Sequence, residues 1–394
     1  MGQWKQYKLG ELITLNSGGT PDKSNKSYWG GDIPWISAKF MYDDYLYSSE
    51  LKISQEGLDN GSRLAPKGSI LLLTRGSGLF NRIPVCYVMK DLAYNQDVKC
   101  IESNNKELVS TKFLFYWLMG NKNSIGAILE TTGIGAGKID TNRLKDIRIS
   151  LPPKEYQQAL IGFAESIMHK IELNRRINDN LEQQAQALFN HYFIESPDLL
   201  KDITVGNLTQ IASYVNGLAM QRFRPNDYEV GLPVLKIKEL GQNAVDSASD
   251  RCTHSIDDIY KVFDGDVIFS WSGTLLVKIW TGGNCGLNQH LFKVTSKKYP
   301  KWFYYFWTKH HLDRFIRIAK DKAVTMGHIK RGELEKSEVL IPCVEKLNQI
   351  SERITPLFEK SIKCSIENRH LTELKDALLP KLMSGELKIN DLNS

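Results

Sequence analysis

The sequence predicts an α+β chain with an internal repeat: two similar mixed α/β globular units, each followed by a long helix. Three observations carry this. A stretch near the middle of the 394 residues, Lys154 to Phe193, has no Pro, a single Gly (Gly162) and many strong helix formers. Motifs that precede this stretch recur after it in the same order. In both repeated parts, short aliphatic and β-branched runs between Gly and Pro breakers mix with segments of helical periodicity.

In the first part (1–153), Ser69 to Thr74 and Pro84 to Met89 read as strands and Glu107 to Met119 as a helix. Its aromatics, Phe113, Phe115 and Trp117, read as core rather than as a base-stacking platform. The long stretch follows Pro152-Pro153 and ends before Pro197, so the central helical segment is 154–196. A helix of about 38 residues would run roughly 57 Å. Apolar or small residues recur at heptad steps: Leu160, Ala164, Ile167, Ile171, then Asn174 and Asn178, then Leu181, Ala185, Leu188 and Tyr192. A seam shifted by one residue onto Leu173 and Ile177 would instead leave both asparagines in solvent.

In the second part (197–342), Asp266 to Trp271 and Leu275 to Trp280 are the matching strands. Lys298 to Ala319 is the matching helix, with Trp302, Tyr305 and Phe306 as core. The last part (343–394) holds a second long helix, roughly Val344 to Met383. Its seam is weaker: Ile350, Ile354, Leu357, Ser361, Cys364, Asn368, Leu371, Lys375, Leu378 and Leu382. Pro356 is expected to kink it or split off its first turns. Antiparallel pairing of the two helices would set Asn174 near Asn368 and Asn178 near Cys364; parallel pairing would set Asn178 against Asn368. Asn174, Asn178 and Asn368 are thus candidates for fixing register, since a buried Asn lowers stability but selects alignment.

The repeat is detailed. LGEL at Leu9 to Leu12 returns as VGNL at Val205 to Leu208, roughly 190 to 200 residues downstream like the other matches. Ile33-Pro34-Trp35-Ile36 returns as Leu232-Pro233-Val234-Leu235, and Pro66 to Leu71 as Phe263 to Ile268, each followed by a Gly, Gly76 or Gly273. Asn95-Gln96 returns as Asn288-Gln289, and Lys112 to Trp117 as Lys301 to Trp307. Gly137-Lys138-Ile139 returns as Gly327-His328-Ile329, and Ile149 to Pro152 as Val339 to Pro342.

Composition bounds the function. Apolar content of 42% and charged content of 24% fit a globular chain with a sizeable core. No run approaches the roughly 18 apolar residues of a membrane span, and the first residues lack the apolar core of a signal peptide. The six cysteines form no C-x-x-C pair or zinc-spaced cluster, so they read as reduced thiols in a cytoplasmic protein. A net charge of +6 permits a polyanionic partner without demanding one. Catalytic signatures fail in turn. Thr132 to Lys138 imitates a phosphate loop, but Thr132 stands where Gly is required and Ile139 where a magnesium-binding hydroxyl is required. No methyl-donor motif is present, and Glu333-Leu334-Glu335-Lys336 has the shape of a nuclease site without an upstream Asp. No Ser/His/Asp or Cys/His set occurs in both halves. The chain reads as no enzyme.

Taken together, the chain resembles the specificity subunit of Type I restriction–modification systems over essentially its whole length. The resemblance is carried by Trp4 to Gly10, Ser17-Gly18-Gly19-Thr20-Pro21, Ile33 to Ile36, Gly68 to Leu71, Asn95-Gln96 and Ile149 to Gln158, in order and doubled. It implies that each globular unit is a target recognition domain reading one half of a bipartite, asymmetric site in double-stranded DNA. It implies that the two long helices form an antiparallel coiled coil, about a pseudo-two-fold, that sets the spacing. It also implies two methyltransferase subunits and two restriction/motor subunits as partners, with S-adenosylmethionine and ATP/Mg used by those partners. No cofactor or metal is implied for this chain. The specificity subunit of a Type IIB system, or a duplicated scaffold that binds no DNA, are the rival readings.

Within that resemblance, DNA-contact candidates follow from position and side-chain chemistry. In the first unit they are Ser17, Thr20, Lys23, Lys26 and Tyr28 in one loop, Ser37 and Lys39 after a short strand, Arg75, Ser77, Asn81 and Arg82 around a glycine turn, and Asn95 and Gln96. In the second they are Tyr214, Asn216, Gln221, Arg222 and Arg224, then Lys236 and Lys238, then Ser270, Ser272 and Thr274, and finally Asn288, Gln289 and His290. The two Asn-Gln pairs could equally be satisfying turns.

Overall fold

The computed structural model describes residues 4–133, 135–200, 202–321 and 329–389. The chain divides into two compact units, residues 1–169 with 373–394 and residues 170–372. The repeat match at Gly327-His328 and Ile134 of the glycine loop lie outside the described residues.

The first unit is built on a five-stranded sheet in the order Ile13–Ser17, Val98–Ser103, Ile70–Leu73, Val85–Val88, Tyr45–Leu46. Ile70–Leu73 is buried at every residue, as a central strand covered on both faces requires. A second sheet runs Lys52–Ile53, Trp29–Ile36, Leu92–Tyr94, Leu64–Ala65, with its two inner strands parallel. Strands Lys5–Lys8 and Arg148–Leu151 pair antiparallel and tie the start of the unit to the entry of the first long helix. The helix Thr111–Gly120 packs Phe113, Phe115 and Trp117 into the core. It starts later than the sequence predicts, because Ser110 caps it by accepting the Phe113 amide at 3.2 Å.

The second unit repeats this plan. Its main sheet runs Ser213–Asn216, Leu291–Thr295, Val267–Ser270, Leu276–Ile279. Its other sheet runs Arg251–Cys252, Leu232–Leu235, Cys285–Leu287, Lys261–Val262, again with parallel inner strands. The strands common to the two units follow the same order, while the edge strand Tyr45–Leu46 of the first main sheet has no counterpart in the second. Thr204–Asn207 pairs with Glu338–Ile341 as the first and last strands of the first unit do. The expected helix over Lys298 to Ala319 is two, Lys301–His310 and Leu312–Asp321, broken at His311. The His311 ring meets the Glu338 carbonyl through Nε2 at 2.8 Å.

The first long helix is Lys154–Asn190, continued by a wider turn over His191–Glu195. The second, Val344–Ser384, runs unbroken through Pro356, contrary to the expected split. Burial of Ile350, Ile354 and Phe358 on both sides of the proline holds that segment in the core of the second unit. Within that unit the two helices pair antiparallel. Asn174 donates to Asn368 Oδ1 at 3.0 Å and to Glu367 Oε2 at 2.8 Å, Asn178 donates to Ser365 Oγ at 2.8 Å, and Arg353 donates to the Tyr192 hydroxyl at 2.9 Å. Leu173 is 44% exposed and Asn174 1%, so the seam is the one that contains the asparagines. Within the first unit, Leu160, Ala164 and Met168 share a core with Leu379, Leu382 and Met383.

Candidate nucleic-acid interface

In the first unit the loop that follows Ile13–Ser17 is locked from behind. The Trp35 indole donates to the Gly19 carbonyl and the Trp29 indole to the Asp22 carbonyl, each at 3.1 Å. The Gly19 amide donates to the Tyr94 carbonyl at 2.9 Å. A Cβ on Gly18 would stand 2.1 Å from that same carbonyl, so only glycine fits. Gly217 holds the same place in the second unit, where a Cβ would lie 2.3 Å from the carbonyls of Leu287 and Asn288. Two loops are thus pressed onto the strand ends where Asn95-Gln96 and Asn288-Gln289 begin.

At the first of these strand ends polar side chains converge. Thr20 Oγ1 meets Gln96 Oε1 at 2.6 Å, Lys99 donates to Ser17 Oγ, and the Asn95 amide lies 3.4 Å from Asp97 Oδ2. Arg75 stands opposite Lys138 in the pairing of Arg75–Gly76 with Gly137–Ile139. Burial holds the Lys99 ammonium below its usual range, Asp97 opposes that, and Arg75 adds repulsion. Asn95 is 7% exposed, and its Oδ1 has no hydrogen-bond partner among the described residues. The glycine segment of Thr132 to Lys138 is the tip of a hairpin rather than a phosphate loop: the Thr132 amide donates to the Ala136 carbonyl at 2.8 Å.

The second cluster uses other side chains. Trp271 Nε1 donates to Asn216 Oδ1 at 3.0 Å, Ser272 Oγ meets His290 Nδ1 at 3.0 Å, and Gln289 Nε2 lies 3.4 Å from His290 Nε2. The Asn288 carboxamide accepts from the His290 amide at 3.2 Å, so this asparagine braces its turn.

The remaining sequence candidates fall into four groups. Lys23, Lys26, Lys39, Ser77, Asn81, Gln221, Arg222, Arg224 and Thr274 are exposed. Tyr28 and Ser37 are half-buried, and Tyr28 sits in a short turn over Lys26–Tyr28 capped by Asn25. Lys236 and Lys238 form ion pairs with Asp250 and Asp246. Three candidates serve the fold. Tyr214 is 3% exposed, with its hydroxyl 2.7 Å from Thr308 Oγ1. Ser270 is fully buried and donates to the Thr274 carbonyl at 2.8 Å, bracing the turn. Arg82 donates to the carbonyls of Met41 and Tyr42. Sequence reasoning missed Asp97, Lys99, Lys138 and Trp271. Lys99 and Trp271 follow candidate motifs by one to three residues, while Lys138 reaches the cluster only by strand pairing.

Among the described residues no group of three or more His, Cys, Asp or Glu side chains could hold a metal ion, and no helix is long and apolar enough to cross a membrane. All six cysteines are unpaired, and burial pushes the Cys86 and Cys285 thiols up to about 12, far from reactive thiolates.

Comparison with known proteins agrees with the doubled architecture. The sequence profile described as "Type I restriction modification DNA specificity domain" matches residues 1–183 and again 201–375. The chain is 27% identical to the Type I restriction enzyme MjaIX specificity subunit of Methanocaldococcus jannaschii, over 99% of this chain and 94% of that one. It is 21% identical to the HindI specificity subunit of Haemophilus influenzae, over 98% of this chain and 100% of that one. In fold, it is similar to the crystal structure of a Type I restriction–modification S subunit from M. genitalium, with a TM-score of 0.55 at 15% identity and 96% coverage of both chains. With the family profile matched twice across most of its length, the chain belongs to the Type I restriction–modification DNA-specificity family, whose subunits recognise DNA and do not themselves catalyse.

Proposed function

We propose that the chain reads a bipartite, asymmetric site in double-stranded DNA, with one half for each recognition domain, 1–153 and 197–342. The helical segments 154–196 and 343–394 act as the spacer that fixes the distance between half-sites. The chain positions two methyltransferase and two restriction/motor subunits on that DNA, in the cytoplasm. S-adenosylmethionine and ATP with magnesium serve those partners; this chain supplies address rather than chemistry.

One observation carries the reading. The same loop, strand end and Asn-Gln pair are built twice on the same sheet plan, with different polar side chains at the same places. A repeated scaffold with divergent tips is suited to reading two unlike sequences by base-edge hydrogen bonds. Exposed Arg75 in one half, and Arg222 and Arg224 in the other, add cations for phosphate or guanine contacts.

The test is to co-express the chain with its methyltransferase partner and map methylated motifs genome-wide. A bipartite motif is the expected result; no new methylation beside a demonstrably active partner would refute it. The purified complex should also lose affinity steeply with salt, by about ten-fold or more between 50 and 200 mM, as phosphate contacts require.

A further inference from the structure

The two clusters share one point at which their chemistry is opposed. In the first unit the Asn95 amide donates to the Ile36 carbonyl at 2.9 Å, and the Val98 amide closes a turn onto the Asn95 carbonyl at 3.3 Å. In the second, the Asn288 amide donates to the Leu235 carbonyl at 3.2 Å, and the Leu291 amide closes onto the Asn288 carbonyl at 3.0 Å. Inside each turn one carbonyl accepts from the residue just after the central strand: Asp97 from Thr74 at 2.8 Å, and His290 from Trp271 at 3.4 Å. Asp97 and His290 therefore occupy the same backbone position in the two units. Both are partly exposed at the strand end.

Their side chains ask for different partners. An ionised carboxylate only accepts, so Asp97 can take an exocyclic amino group, N4 of cytosine or N6 of adenine. Among the described residues the Asp97 carboxylate meets one hydrogen-bond donor, the Asn95 amide at 3.4 Å, which leaves most of its acceptor capacity open. An imidazole always carries at least one N–H, so His290 can donate to a base carbonyl, as on guanine or thymine. With the Ser272 hydroxyl donating to Nδ1 at 3.0 Å, the ring plane is fixed and Nε2 carries the N–H, beside Gln289 at 3.4 Å.

We propose that Asp97 and His290 are equivalent specificity-determining residues, Asp97 selecting an amino-bearing base in one half-site and His290 a carbonyl-bearing base in the other. This inference rests on the DNA-reading function proposed above. It explains why a duplicated reader addresses unlike half-sites: an acceptor-only group and a donor stand on one backbone frame.

The test uses the complex of this chain with its methyltransferase partner and a duplex library randomised through both half-sites, with methylated products sequenced. The wild-type complex should show one position in the first half-site that prefers adenine or cytosine on the contacted strand. Asp97→Asn, of nearly the same shape, should cut that preference about ten-fold. Asp97→His should turn it toward guanine or thymine, with the second half-site and the spacer unchanged. His290→Asp should bring the reverse change in the second half-site alone. Base preferences left as in wild type by Asp97→Asn and His290→Asp, in complexes that melt as wild type does, would overturn the assignment while leaving the DNA-reading function intact. A wild-type complex with active methyltransferase and no bipartite preference would overturn both. If Asp97→His fails to assemble, the isosteric Asp97→Asn decides.

Discussion

Arg82 and Arg75 lie a few residues apart and have the same chemistry, yet the fold engages one and leaves the other exposed. Arg82 Nη1 donates to the Tyr42 carbonyl at 2.9 Å, Nη2 donates to the Met41 carbonyl, and the guanidinium lies 5.5 Å from the centre of the Tyr42 ring. These bonds fasten the loop before Tyr45–Leu46 to the turn after Phe80. Arg75 is exposed, and its side chain has no hydrogen bond or ion pair among the described residues. Arg82→Ala should therefore cost about 1.5–3 kcal/mol of stability, the range for hydrogen bonds made by a charged group. The methylated motif should stay unchanged. Arg75→Ala should leave the melting transition in place and relax base choice in one half-site. Thermal melting and motif mapping of both variants separate the two roles, and a relaxed motif in Arg82→Ala would put it back among the reading residues.

At the scale of elements, the break at His311 is a place where sequence and structure part. Helical periodicity runs across it, and the His311 ring donates to the Glu338 carbonyl while stacking on Trp307 at 6.1 Å. Burial pushes its pKa from the usual imidazole range down to about 4, with His310 and Arg314 adding repulsion and the Glu338 contact opposing. The folded state thus holds His311 neutral where the unfolded chain would protonate it. Stability from this source is complete above about pH 6.5 and is lost as pH falls from there toward 4. His311→Asn, whose amide can still donate to the carbonyl, should flatten that part of the pH dependence of the melting temperature; an unchanged slope would mean other groups cause it. The same competition between local pattern and tertiary contact decided what the sequence revealed. The long helices, the central strands Ile70–Leu73 and Val267–Ser270 and the core aromatics were legible, because hydrophobic period and burial coincide there. Pro356 misled because the buried neighbours Ile354 and Phe358 hold the helix through it. At the site, chemistry and loop position identified Thr20, Gln96, Asn216 and His290, which do meet in clusters. They did not reveal that Tyr214 and Ser270 face inward, nor that strand pairing brings Lys138 opposite Arg75. Those facts depend on register between distant segments, which no local pattern encodes.

At the scale of the whole molecule, the paired helices supply a test of the spacer role. In the second unit Asn174 faces Asn368 and Asn178 faces Ser365, so the local register is known residue by residue. The Oδ1 of Asn178 is buried with no partner among the described residues, a cost in stability of the kind that a buried Asn can offset by selecting one alignment. One added residue turns everything beyond it by about 100° around the helix axis, whereas a heptad nearly restores the face. Seven residues inserted after Asn178, matched by seven inserted before Ser365, should therefore keep both seams in phase and lengthen the pair by about 10.5 Å. That length corresponds to about three base pairs at 3.4 Å each. If these helices are the ruler, the doubly inserted chain should methylate a site whose spacer is longer by about three base pairs, with both half-sites as before. The insertion in the first helix alone leaves seven residues without partners, and should lower the melting temperature and the yield of assembled complex. Methylation mapping of the doubly inserted complex decides the matter: a spacer of unchanged length, or half-sites of altered sequence, would show that the distance between half-sites is set by something other than these helices.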